Sequence, residues 1–284
     1  MKAKRFLRLV PVIGILILAS SCAVAPSRKY VRTEFGYEQT LHEAGAVGIV
    51  TDACLVRDGL GGVDCISIED SRAIEGYMLE GAAASLESKG YQVPVQLSPF
   101  VGGFKTTSST FSVADRQGGQ VSNLPPPFYE SDAAKSNPAF GQAVALVTRR
   151  VLTALEQKSE PPSDVFLRDQ LILEDLRTIR DQTKVDRLLV VIGNGRSVSG
   201  TKSFLQGCGT GVASLLCSGG LFMFSTHEVS SLDTFMALIN LDSGRIVWAN
   251  DLRMTKGDPT KRGYYIKGWS QNLLYHFPSK AGSS

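Results

Sequence analysis

Histidine is scarce in this chain. It has three, His42, His227 and His276, and none stands at a metal-ligand spacing, so no His-Glu-x-x-His zinc pattern exists. There is no Gly-x-Ser-x-Gly nucleophile elbow either. A block of one charge sign is also missing. The formal net charge is +3, too little and too scattered to neutralise a phosphate backbone, so no nucleic acid is expected as a partner. No repeat of blade length appears, which excludes a propeller. The carboxylate pairs Glu174/Asp175 and Asp164/Asp169 read as solvated helix faces. The stretch from Gly195 to Ser203 nearly spells a phosphate-binding loop, but Thr201 intrudes between Gly200 and Lys202. Gln206-Gly207-Cys208-Gly209 is also a poor start for the helix such a loop needs. It reads as a strand exit loop, and no cofactor is expected.

What is present begins at the N-terminus. Lys2, Lys4, Arg5 and Arg8 precede an apolar run, Leu9–Leu18, broken only by Pro11 and Gly14. The run is too short for a bilayer, which needs about 20 residues. Ala19, Ser20 and Ser21 are small, and Cys22 follows. That is a basic, apolar and small-residue succession of the secretory kind. The stretch resembles a bacterial lipoprotein signal, which implies that Cys22 carries a diacylglyceryl anchor and that residues 1–21 are removed. Ala23 at the next position then implies delivery to the outer membrane, facing the periplasm. Removal takes away four positive charges and no negative one, which leaves the remainder one unit negative.

Of five cysteines, four are left once Cys22 is lipidated. They form two local pairs, Cys54/Cys65 and Cys208/Cys217. An oxidising compartment permits disulfides, and four cysteines permit three connectivities. A two-residue turn at Gly59-Leu60 would set Cys54 opposite Cys65 within bridging reach. Buried free thiols are the alternative reading.

Residues 22–44 read as a tether and 45–278 as one α/β domain, with 279–284 as a tail. Ala46–Val56 and Val63–Ile68 read as a strand and its hairpin partner. Asp70-Ser71 caps a helix to Lys89 with Ile74, Met78, Ala82 and Leu86 on one stripe, and Gly90 follows as its C′ residue. Residues 98–138 are rich in Gly, Ser, Thr and Pro and read as a long loop. In it Phe128 and Tyr129 are either partner-binding aromatics or pins to the body. Residues 139–157 form an amphipathic helix with Phe140, Val144, Val147, Val151 and Leu155 inward. A second helix runs from Asp164 to Thr183 with Val165, Ile172, Leu176 and Ile179 inward. Leu188–Ile192 is a buried strand. Val229–Leu241 and Ile246–Met254 flank a hairpin turn at Asp242-Ser243-Gly244. A final helix spans 265–277. The predicted fold class is an α/β sandwich with a mixed sheet. Residues 203–226 carry no charge. They are an apolar insertion on the body, a disulfide-closed loop, or a segment that enters a membrane or a neighbouring subunit.

The C-terminal third, "MALINLDSGRIVWANDLRM" followed by "KGWSQNLLYHFP", resembles envelope lipoproteins with a TolB-N-like α/β domain, among them the curli-secretion lipoprotein and activators of penicillin-binding proteins. The resemblance implies a lipid-anchored, non-enzymatic periplasmic accessory that binds another envelope protein in assembly, secretion or wall synthesis. It equally admits a homo-oligomeric outer-membrane pore subunit. A cryptic hydrolase is the remaining class.

Overall fold

The computed structural model describes residues 28–33, 36–43, 45–58, 64–105, 108–114, 121–156, 170–198, 230–255, 257–265, 269–274 and 277–280. In chain order the strands are β1 (Arg28–Thr33), β2 (Ala46–Asp58), β3 (Asp64–Ser67), β4 (Gln92–Val101), β5 (Phe111–Ala114), β6 (Val121–Leu124), β7 (Tyr129–Glu130), β8 (Arg187–Val198), β9 (Ser231–Asn240) and β10 (Arg245–Met254). The helices are α1 (Tyr37–His42), α2 (Ile68–Ser88), α3 (Asp132–Ser136), α4 (Pro138–Glu156), α5 (Gln170–Thr183), α6 (Arg262–Tyr264) and α7 (Ser270–Leu273).

The strands make one mixed ten-stranded sheet in the order β1-β10-β9-β8-β2-β3-β5-β6, with β4 on β2 and β7 on β4. β2 is the branching strand. One of its edges pairs in parallel with β8 along its length. The other edge is shared: β4 pairs in parallel as far as Ala53, and β3 pairs antiparallel from Val56.

Alternation along the central strands sends apolar side chains to both faces, and each face is covered. On one face Val50, Val190 and Ile192 meet Val144, Val147 and Val151 of α4 and Leu176 and Ile179 of α5. On the other, Ile49, Leu189 and Val191 meet Ile74, Met78, Ala82 and Leu86 of α2, together with Trp248 and Trp269. The four apolar residues expected on α2, and the five expected on α4, are all buried. Val165 and Ile172 have no described side chain.

α2 begins earlier than expected. Its cap is Ser67, whose side chain accepts from the Asp70 amide, with Glu69 and Asp70 in the first turn complementing the helix dipole. It ends as expected. Gly90 has φ +84°, the Gly90 amide donates to Glu87, and the Tyr91 amide donates to Leu86. These two bonds are a Schellman closure, which needs the left-handed residue that glycine supplies.

Residues 98–138 are not one long loop. They hold the end of β4, then β5, β6, β7 and α3. The strands are short, four or two residues, so none shows a period in sequence. The hairpin at 242–244 is present, with Asn240 Oδ1 accepting from the amides of Asp242 and Ser243. Of the final helix expected over 265–277, Tyr265, Trp269 and Ser270–Leu273 (α7) have helical backbone, α6 precedes them, and residues 266–268, 275 and 276 lie outside the described residues. The Asn250 amide group donates to the carbonyls of Asn272 and Leu273, which ties the end of α7 to β10. Tyr265, Trp269, Leu273 and Phe277 are buried. Among the described residues no helix is long and apolar enough to cross a membrane.

Candidate functional site

The branch point of the sheet is also where the core admits charge. Asp52 and Glu75 are each only 2% exposed, and both carboxyls are tied to main chain. As β4 departs from β2, the amides of Ala53 and Leu55 lose their strand partner. α2 supplies substitutes: Glu75 Oε1 accepts from the Ala53 amide at 3.0 Å, and Ser71 Oγ from the Leu55 amide at 2.9 Å. On the opposite face Asp52 clasps the chain that leaves β4. Its Oδ1 accepts from Gly102 at 2.7 Å and its Oδ2 from Phe104 at 2.9 Å.

Two cations frame this pair. Lys105 Nζ donates to Asn194 Oδ1 on β8 at 3.1 Å, and Arg149 of α4 donates to the Gly103 carbonyl at 3.3 Å. Burial pushes the Asp52 carboxyl up to about 7, against the downward pull of the Gly102, Phe104 and Gly103 amides and of Lys105. Burial, then the nearby Asp52, raises Glu75 well above the usual carboxylate range, with the Ala53 amide and Arg72 opposing.

Beside the fork lies a cleft of about 820 Å³, lined by Glu69, Arg72, Glu75, Ser98, Tyr129 and Ser131. The Arg72 guanidinium lies 4.2 Å from the centre of the Tyr129 ring, a cation–π contact. Across β7 a groove of about 680 Å³ is lined by Phe100, Glu130, Lys135, Gln142, Arg149 and Asp175. Acid–base work needs an atom open to substrate, and both oxygens of Asp52 are already committed to amides. Glu75 reaches the cleft wall. Among the described residues no group of three His, Cys, Asp or Glu could hold a metal ion.

No family model matches the chain. No curated protein matches it. Two solved structures are similar at low level. The PelC dodecamer from Paraburkholderia phytofirmans has 10% identity and TM-score 0.30 over 87% of this chain and 95% of that one. A point variant of the same dodecamer has 9% identity and TM-score 0.29 over 89% and 99%. A superposition this loose carries no argument, and the fold described above stands on its own strand register.

The residues singled out in sequence fall in different places. Phe128 is buried, meets Phe111 edge-on at 5.5 Å and donates its amide to Val101. It pins its segment to the body. Tyr129, the next residue, is half-buried and faces the cleft. Cys54 and Cys65 are free, not bridged. The register explains why: Cys65 pairs with Arg57, and β2 runs on to Asp58, so the connection is longer than two residues. Gly195 is not in an exit loop, because β8 continues to Val198 and Gly195 packs on Leu55 and Leu232. Cys22, Cys208, Cys217 and residues 203–226 lie outside the described residues. The fork acids were missed. The signal was an aspartate inside the apolar run Ala46–Val56, and a glutamate beside Ile74 on the inward stripe.

Proposed function

We propose that this protein is a lipid-anchored envelope accessory that binds another envelope component and performs no chemistry itself. The observation that carries this reading is the N-terminal succession ending in Leu16-Ile17-Leu18-Ala19-Ser20-Ser21-Cys22, which makes Cys22 the lipidated residue. The TolB-N-like reading of the C-terminal third belongs to the same proposal, as does placement at the outer membrane facing the periplasm. The clasped acids at the fork support it, since their oxygens hold main chain together. Within this reading the partner meets the protein at the cleft beside Tyr129 and Arg72.

The test is a Cys22→Ser variant that is still exported. Loss of membrane association supports the anchor, and unchanged association overturns it. A second reading, a subunit of an oligomeric secretion pore, is favoured by the uncharged run 203–226. Native mass of the lipidated protein in mild detergent separates the two. A monomer supports the accessory, and a ring-sized homo-oligomer supports the pore.

A further inference from the structure

The anchor constrains how the body can sit on a bilayer. Cys22 precedes Arg28, the first residue of β1, by six positions. Even fully extended, that chain places Arg28 no more than about 20 Å from the lipidated cysteine. The chain between Cys22 and Arg28 is therefore a short leash on the corner of the sheet where β1 begins. At that corner Arg28 pairs with Arg253, and Arg253 with Asp233. The start of β1, the end of β10 and the start of β9 thus lie side by side, about 5 Å apart from strand to strand.

The hairpin turn between β9 and β10 is at the other end. Arg245 pairs with Asn240 there, and the eight residue steps along β10 from Arg245 to Arg253 span about 27 Å. If the sheet stood on the Asp242–Gly244 turn, Arg28 would be lifted farther from the bilayer than its leash allows. The chain that joins β8 to β9 departs from the leashed end: Arg196 pairs with Ser231. Ser231 is two residues beyond the level of Arg28 and two strands across, about 12 Å away. The connection between those strands contains the uncharged residues 203–226. At the same corner Arg253 is neutralised by Asp233 at 3.3 Å.

We infer that the protein meets the lipid headgroup surface through the corner formed by the start of β1, the end of β10 and the start of β9. The Asp242–Gly244 turn is then held away from the bilayer. This rests on the anchor reading above. It adds an orientation that the anchor alone does not give.

The experiment uses the full-length lipidated protein in phosphatidylethanolamine/phosphatidylglycerol vesicles doped with headgroup-nitroxide lipid. A small fluorophore is placed by an unnatural amino acid at Ser231 or at Ser243. The expected result is quenching several-fold stronger at position 231 than at 243. Equal quenching, or stronger quenching at 243, overturns the orientation. A Cys22→Ser protein in the same vesicles keeps the two readings apart. If it stays in solution while the lipidated protein shows equal quenching, the anchor stands and the orientation fails. If it binds vesicles as well as the lipidated protein does, the anchor reading fails, and this inference fails with it.

Discussion

The Gly102 amide is held by Asp52, whose Oδ1 accepts it at 2.7 Å, and the carbonyl of the adjacent Ala53 accepts the same amide at 3.2 Å. One amide is thereby shared between a side chain and the backbone of the branching strand. Replacing Asp52 by Asn leaves an acceptor for one amide and turns a donor toward the other. A buried donor without a partner costs about 1–3 kcal/mol. Urea denaturation of the Asp52→Asn protein is expected to show a loss of that size at neutral pH, with the fold retained by circular dichroism.

The same carboxyl makes stability depend on pH. Its folded-state value, raised by burial to about 7, lies above the unfolded one, near about 3.9 for a free aspartate. The folded protein therefore binds the proton more tightly. The contribution of this group is fully present below the unfolded value and is lost as pH rises through the folded one. Glu75 is shifted the same way. The melting temperature of the wild type is expected to fall between about pH 4 and about pH 7. The Asp52→Asn protein should show a shallower fall, and an equally steep one would contradict the assignment.

Gly102 has φ +70°, and a Cβ there would come within 2.6 Å of the Phe128 ring. Both the left-handed backbone and the close ring exclude a larger residue. Gly102→Ala is expected to cost about 1–3 kcal/mol. Gly76→Ala, at a helical position where a Cβ meets nothing within 4 Å, should be neutral or slightly stabilising. Chemical denaturation of the two variants side by side checks the contrast.

The two cysteines of the β2–β3 region should differ in reactivity. Cys54 is buried, and burial pushes its thiol up to about 12, while Cys65 is partly accessible. Alkylation follows the thiolate and its exposure. Under native conditions Cys65 is expected to react well before Cys54, as read by peptide mass spectrometry. Recovery of a Cys54–Cys65 disulfide from unreduced protein would overturn the register described here.

Elements with a long period could be read from sequence, and elements fixed by single contacts could not. The stripes of α2 and α4 repeat over many turns, so their inward residues were legible one by one. β5, β6 and β7 are too short to repeat anything, and their pairing is set by the neighbours they reach. The inward residues of the C-terminal helix were legible from their spacing, but its end was not, because the Asn250 amide group on distant β10 takes the carbonyls of Asn272 and Leu273. Cys54 was assigned a partner from a turn length, and β2 extends beyond that turn. For the site, a lone acid in an apolar strand marks a place to look. That its oxygens clasp residues 102 and 104 is a long-range fact that no local pattern contains.

The pairing of β2 with β8 also sets an order of events. β2 ends at Asp58, and β8 starts only at Arg187. A chain emerging N-terminus first exposes the whole β8-facing edge of β2 until well over half its length is out. Such an edge is a template for wrong partners, and closing so long a loop is slow. Once β8 docks, β9 must cross the connection from Val198 to Ser231 to reach it, and β10 then needs only a tight turn to follow. A fragment stopped after Thr183 should therefore be a client for chaperones rather than a small stable protein, and the last hundred or so residues act as the seal on everything made before them.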